Sequence, residues 1–463
     1  MKKTLKKYQR RALHFINRHK GCAGVFMDCG TGKTLVAIRY AMKFLPALIV
    51  CRRDDFLTWE TELEEEEFDM DRVRFIQKGN HDVCTLFNEL FNNEVDWVFM
   101  PYDLVKNKSI KSFVDGTKWG VCIADESHMI KRWKSTRTKR LIAATKHVPR
   151  NLALTGTPLT NDLLDIFSQG LFINGGKTFG KKEWNFRNRY FIKPPNFPGW
   201  VPKRGAKDEI KRRLKELAFY IDIDDVLKLP NQRTIVKGVP MTGVQRKYHD
   251  QILKEWELTI DGKTCDIDHV IVQLSKLRQI AGGFLYRPDH SPMYIRNKKI
   301  DLLKDMVTST QYFGENTKIV IWCSHTAEIL KIAEVVESIN DKCVTFYGSK
   351  SKEKNLARQE FKKNPKIRFF IGQVDAGVGI NELVVSNVGI YYSNSFKVLS
   401  KTQSKKRIRR MGSGRHKHIT YCELVTEKSI DLHILKCLKS NIDIASYILT
   451  KIKQRNKLGN ILK

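Results

Sequence analysis

Ala23-Gly24-Val25-Phe26-Met27-Asp28-Cys29-Gly30-Thr31-Gly32-Lys33-Thr34 is the stretch on which the fold turns. Its apolar start reads as a buried strand, Gly30 and Gly32 mark a tight turn, and Thr34 opens a helix-period segment reaching Phe44. A strand that feeds a helix through such a turn aims backbone N–H groups and the positive helix end at one point, which suits phosphate oxygens. On this reading Gly30, Thr31 and Gly32 cradle phosphates, Lys33 neutralises the outer ones, and the Thr34 hydroxyl is a Mg²⁺ ligand. The strict pattern has glycine where this chain has Met27. The competing reading is a surface turn with a capping threonine.

Working outward, the same alternation continues. Short apolar runs at Ala47–Cys51, Asp96–Met100, Val121–Ala124 and Leu152–Leu154 alternate with helix-period segments such as Ser135–Ala144. Strands separated by helices predict a parallel sheet covered on both faces. The pattern returns at Lys318–Cys323, Lys342–Phe346, Ile367–Ile371, Val388–Tyr392 and His418–Val425, with helices at Thr326–Glu337 and Ser351–Lys362. The expected class is therefore α/β: one lobe over 1–174, a second over 297–438. Between them, 175–296 is rich in charge and aromatics, with helical patterns at Asp208–Ala218, Gln245–Glu257 and Val270–Ala281, and is expected to be a mainly helical insertion and linker. Residues 439–463 are expected to form a helical tail.

Asp125-Glu126 follows a strand pattern over Trp119–Ala124, which puts two carboxylates at the C-terminal edge of the first sheet, where ligands bind in such folds. One carboxylate suits the metal and the other the attacking water, and Asp125 and Glu126 fit those roles in that order. Near the other end, Gln403, Arg407 and Arg410 offer charge from the second lobe. Eight Lys/Arg and no acid lie between Lys401 and Lys417, so a solvated basic helix or an import signal is the alternative there.

Bulk properties narrow the partners. Lys and Arg outnumber Asp and Glu by 83 to 50 in 463 residues, a formal charge of +33, and such a field favours polyanions, nucleic acid first. Ten cysteines stand singly, which predicts a reducing compartment and neither a disulfide framework nor a zinc site. No run of about 18 apolar residues occurs, so no membrane partner is expected. The acidic run Glu60–Asp69 reads as one solvated helix face, and Trp322 as core.

With these motifs in order, the chain resembles the superfamily II helicases, and within them the Swi/Snf-like ATPases. Leu5-x-x-Tyr8-Gln9 is similar to the family's adenine-reading element, Leu48–Cys51 with Trp59-Glu60 to the next, and Tyr102-Asp103-Leu104 to the one after. Asp125-Glu126-Ser127-His128 looks like the acidic box, Leu154–Pro158 with Asn161-Asp162 like a Swi/Snf-type run, and Leu277-Arg278-Gln279-Ile280 like the segment before lobe two. Tyr347-Gly348-Ser349, Gly377-x-Gly379-Ile380-Asn381 and Gln403-x-x-x-Arg407-x-x-Arg410-x-Gly412 match in lobe two. The resemblance implies two RecA-like lobes, ATP and Mg²⁺ as cofactors, Gln9 on the adenine, Gly379 at the nucleotide, and Arg410 as an arginine finger beside Arg407. Departures are Ser127, Ala376 and Ser413, and the absence of arginines around Tyr220–Asp222.

The expected function is an ATP-dependent helicase or translocase on duplex, forked or branched DNA, of the compact phage or bacterial type and cytoplasmic. Arg52, Arg53, Lys131 and Arg137 in lobe one, and Ser324, His325, Tyr347 and Lys350 in lobe two, follow strand ends and are candidate phosphate contacts without base reading. An RNA helicase, a motor subunit of a restriction or defence complex, and an ATP-switched DNA clamp remain as alternatives.

Overall fold

Residues such as Ala47–Cys51 have no polar face to offer water, so they become interior strands of a parallel sheet buried from both sides. The computed structural model describes residues 3–77, 82–156, 163–194, 200–260, 267–309, 311–314, 316–348, 351–375, 380–440 and 447. The chain divides into two units, Met1–Leu227 and Lys228–Lys463.

The first unit is built on β1 (Ala23–Met27), β2 (Ala47–Cys51), β3 (Val73–Phe75), β4 (Trp97–Pro101), β5 (Val121–Asp125) and β6 (Asn151–Leu154). After a two-strand hairpin, β7 (Phe191–Ile192) with β8 (Val201–Pro202), the chain returns as β9 (Ala218–Ile221). The seven-stranded order is β3-β4-β2-β5-β6-β1-β9, every pair parallel. Alternation along each strand feeds two cores: Leu48 and Val50 enter one, Ala47, Ile49 and Cys51 the other.

In the second unit the strands are β10 (Asn231–Val239), a hairpin of β11 (Phe284–Tyr286) and β12 (Pro292–Tyr294), then β13 (Ile319–Cys323), β14 (Cys343–Phe346), β15 (Phe369–Gln373), β16 (Val388–Tyr391) and β17 (His418–Thr426). Their six-stranded sheet runs β10-β17-β16-β13-β15-β14 and is again parallel throughout. Trp322 is fully buried in one of its two cores, as expected.

The stretch 175–296 is not one separate insertion. Its helices exist, at Ala206–Leu217, Gly243–Ile260 and Ile267–Gly282. However, β9 is an edge strand of the first sheet and β10 an edge strand of the second. Polar residues on β10, from Asn231 through Thr234, face solvent and mask the strand pattern, as charged edges commonly do. The acidic run is also corrected: Glu66, just past the helix Phe56–Glu65, is fully buried and accepts a hydrogen bond from Arg39 at 3.1 Å. The tail expected beyond Ser440 lies outside the described residues apart from Tyr447.

Candidate nucleotide site and nucleic-acid interface

The phosphate loop is shaped by its own hydrogen bonds. The Thr31 hydroxyl donates to the Asp28 carbonyl at 2.6 Å, and the Cys29 N–H donates to Asp28 Oδ1 at 3.0 Å. Gly30 and Gly32 take φ of 84° and 78°, a region that disfavours side chains. A Cβ on Gly32 would also crowd the Gln9 amide. From the first helix (Lys7–Arg18), the Tyr8 hydroxyl and Gln9 Nε2 donate to the Thr31 carbonyl at 3.1 and 3.0 Å. Gln9 therefore braces the loop, while its Oε1 accepts from the Lys6 N–H at 2.8 Å.

The helix Lys33–Ala41 starts without a side-chain cap. That leaves first-turn N–H groups of the kind anions occupy. Lys33 Nζ lies 3.5 Å from the Asp28 carbonyl, and Lys33 and Thr34 are each half-buried at the mouth of the loop.

Asp125 ends β5 with its carboxylate oriented from two sides. Trp59, buried on the helix Phe56–Glu65, donates Nε1–H to Oδ2 at 2.9 Å, and the Glu126 N–H donates to Oδ1 at 2.9 Å. The Tyr102 hydroxyl donates to the Asp125 carbonyl at 2.7 Å. Burial and then the neighbouring Glu126 charge push the Asp125 carboxyl up to about 6, while the Lys33 ammonium and the Trp59 bond pull it back. Glu126 sits at φ 50°, a left-handed conformation that costs a non-glycine residue about 1–2 kcal/mol. Its Oε2 accepts from the Thr155 hydroxyl at 3.3 Å and lies 3.2 Å from His128 Nδ1. A Cβ on Gly156 would meet Cys29 N at 3.2 Å, so the end of β6 touches the phosphate loop. The structure thus gathers Gln9, Gly30, Thr31, Gly32, Lys33, Thr34, Asp125 and Glu126 at the C-terminal edge of one sheet.

Of the candidate phosphate contacts in this unit, Arg52 and Arg53 line a 590 Å³ cleft with Tyr102, Asp103 and Asn107. Arg137 joins its rim through Asp103 at 2.8 Å. Lys131 instead pairs with Asp165 at 3.4 Å, and the Ser168 hydroxyl holds the Ile130 and Lys131 carbonyls.

In the second unit Arg407 is buried on the helix Val398–Ile408. Arg410 Nη1 donates to Asn381 Oδ1. Asn381 precedes Glu382, which accepts a two-pronged bond from Arg358, both prongs at 3.0 Å. Two expectations change. His325 is mostly buried, its ring 5.2 Å from Phe284 and its Nε2 3.2 Å from Arg278 Nη2, so it belongs to an interior network. The Ser324 N–H donates inward to Glu328 Oε2 at 3.0 Å, and the Ser324 hydroxyl is itself buried. Tyr347 is half-buried against the core. Lys350, Gly379, Ala376 and residues 157–162 lie outside the described residues.

Sequence reasoning gave no role of their own to Tyr8, Tyr102, Gln169 or Asn381 in this site. Gln169 Oε1 accepts from the Ser127 hydroxyl at 2.8 Å and so fixes the acidic box from below. The Ser168-Gln169 pair set among the apolar residues of the helix Ile166–Asn174 was the available signal. Among the described residues no cluster of His, Cys, Asp and Glu of metal-holding geometry occurs, and His416 contacts the Val384 carbonyl at 3.0 Å.

Over 98% of its length the chain is 24% identical to the SWI/SNF chromatin-remodeling complex subunit snf22 of Schizosaccharomyces pombe, of which it covers 28%. It is 24% identical to the putative protein p41 of Acyrthosiphon pisum secondary endosymbiont phage 1, over 73% of this chain and 74% of that one. The putative ATP-dependent helicase/translocase YwqA of Bacillus subtilis is 22% identical, over 97% of this chain and 49% of that protein. The Sulfolobus solfataricus SWI2/SNF2 ATPase core, solved in complex with dsDNA, aligns at a TM-score of 0.44 with 21% identity, over 97% of this chain and 95% of that one. The SNF2-related domain model matches residues 8–282, from the tyrosine that braces the phosphate loop to the glycine ahead of β11, and the chain belongs to that family.

Proposed function

We propose that this chain is an ATP-driven motor that moves on duplex, forked or branched DNA without strong sequence preference. The observation that carries the reading is the meeting, in one unit, of an uncapped phosphate loop with a buried carboxylate that feels the charge of Lys33. Lys33 would bind the β and γ phosphates, and Gln9 the adenine from its place beside the loop. Glu126 would orient the attacking water, with Thr155 and His128 holding its carboxylate. Arg407 and Arg410 would supply charge to the γ-phosphate.

The donor set fits Mg²⁺: a carboxylate and a hydroxyl are hard oxygen ligands, and Asp125 is oriented by two hydrogen bonds independently of any cation. Thr34 and Asp125 would hold the ion, which supplies neutralising charge to the phosphates. For DNA, support comes from the +33 charge and from Arg52, Arg53 and Arg137 about one cleft. Backbone phosphates are what such groups bind, hence the weak sequence preference.

Steady-state ATPase measured with no polynucleotide, single-stranded DNA, duplex, forked duplex and RNA tests the reading. Strong stimulation by duplex or fork is expected, and Lys33→Ala should abolish turnover while keeping most DNA binding. Stimulation by RNA alone would move the chain to the RNA helicases, and turnover retained by Lys33→Ala would overturn the site.

A further inference from the structure

Between Lys177 and Leu217 the chain carries thirteen Lys/Arg and four Asp/Glu, a charge density well above that of the whole molecule. This segment is the helix Glu183–Tyr190, the β7–β8 hairpin and the helix Ala206–Leu217. Its anchor is aromatic: Phe186 lies 5.4 Å from Phe167, which in turn takes Trp133 edge-on at 5.8 Å. Within it, Glu183 pairs with Arg187, Glu216 with Arg212, and Glu209 with both Arg189 and Arg213. Of the remaining cations Lys177, Lys181, Lys182, Lys193 and Arg204 are exposed, and the fourth acid, Asp208, is exposed on the helix Ala206–Leu217. Beside Lys181-Lys182 stands Trp184, with 70% of its surface open to solvent.

An indole left in water forfeits the stabilisation that burial would give it. Amid cations it presents a π-face to a base while its neighbours hold phosphates, the combination that binds unpaired strands. A duplex keeps its base faces stacked inside, so it offers this indole no free face to stack on.

We propose that the described residues of this segment, 177–194 and 200–217, form an accessory grip for single-stranded DNA, with Trp184 as the stacking platform and Lys181 and Lys182 as phosphate contacts. The grip rests on the motor reading, since it supplies a place for the unpaired strand of a fork outside the Arg52–Arg53 cleft.

Fluorescence anisotropy with labelled oligothymidylate and with a blunt duplex, alongside duplex-stimulated ATPase, tests it on the full chain. Trp184→Ala should weaken oligothymidylate binding roughly tenfold, as loss of one stacked base predicts, and Trp184→Phe should restore most of it. The Lys181→Glu/Lys182→Glu variant should flatten the log–log salt slope by about 1.4, at roughly 0.7 for each of two phosphate contacts on a single strand. Blunt-duplex binding and duplex-stimulated turnover should stay at wild-type levels. Unchanged oligothymidylate affinity in both variants would overturn the grip, as would an equal loss on the duplex. Failure of the motor reading looks different: a wild-type ATPase that no DNA stimulates.

Discussion

Asp125 shows how one residue's environment is set by others far away in sequence. A buried carboxylate resists ionisation, and here burial and Glu126 together push it up to about 6. Trp59 is the counterweight, since its Nε1–H is aimed at Oδ2 and the indole is fully buried. A hydrogen bond to a charged group contributes about 1.5–3 kcal/mol. Trp59→Phe keeps the aromatic packing on Phe99, 5.6 Å away, and removes only the donor. The expected outcome is ATP turnover reduced at least roughly tenfold, as the low end of that range predicts, with a melting temperature within a few degrees of wild type. Stopped-flow phosphate release and a thermal melt check it; wild-type turnover would mean that the Asp125 carboxylate is oriented without the indole.

At the scale of elements, the helix Thr326–Ser338 begins on a carboxylate doing several tasks. Glu328 Oε2 accepts from the Ser324 and His325 N–H groups at 3.0 and 3.1 Å, and the Ser393 hydroxyl also donates to it. Burial alone would raise its pKa, but the His325 ring, the Ser393 hydroxyl and the Lys299 ammonium outweigh that and bring it down to about 2. A carboxyl lowered on folding from 4.5 to about 2 adds stability fully present above pH 4.5 and lost as pH falls towards 2, worth about 3 kcal/mol at neutral pH. Glu328→Gln should therefore lower stability most at pH 7 and least near pH 2, read as the gap between denaturation midpoints of variant and wild type. A gap that does not narrow on acidification would remove the charge from the account. This network also marks where reading the sequence stops. The runs that became β1, β2 and β13 declared themselves because all their residues are apolar and both faces are buried. By contrast β10 shows water its Asn, Gln, Arg and Thr, and its nine-residue pairing with β17 is long-range, so no local pattern announces it. His325 was legible as a residue at a strand end, whereas its inward turn onto Arg278 depends on packing between distant segments. The phosphate loop and acidic pair were legible because their spacing is local; the brace from Tyr8, Tyr102 and Gln169 was not.

For the whole molecule, the division after Leu227 separates the proposed chemistry as well as the cores. Lys33, Thr34, Asp125 and Glu126 all lie before it, with two cores of their own, one on each face of a seven-stranded sheet. Arg407 and Arg410 lie after it, in a unit with a separate sheet and cores. If hydrolysis needs the arginines and phosphate binding does not, the two should come apart when the chain is cut between Leu227 and Lys228. Residues 1–227 retain β9, the edge strand that pairs with β1 from Gly24 to Met27, so the sheet under the phosphate loop stays complete. This fragment should melt cooperatively and gain thermal stability with ATP and Mg²⁺. Its turnover should fall at least about a hundredfold below the full chain, given the 10³–10⁵ that an arginine finger contributes in related phosphoryl transfers. Differential scanning calorimetry with and without nucleotide, followed by a phosphate-release assay, reads both halves of the expectation. A folded fragment that hydrolyses ATP at the full chain's rate would take the arginines out of the reaction. A folded fragment blind to ATP would move the nucleotide away from the Lys33 loop.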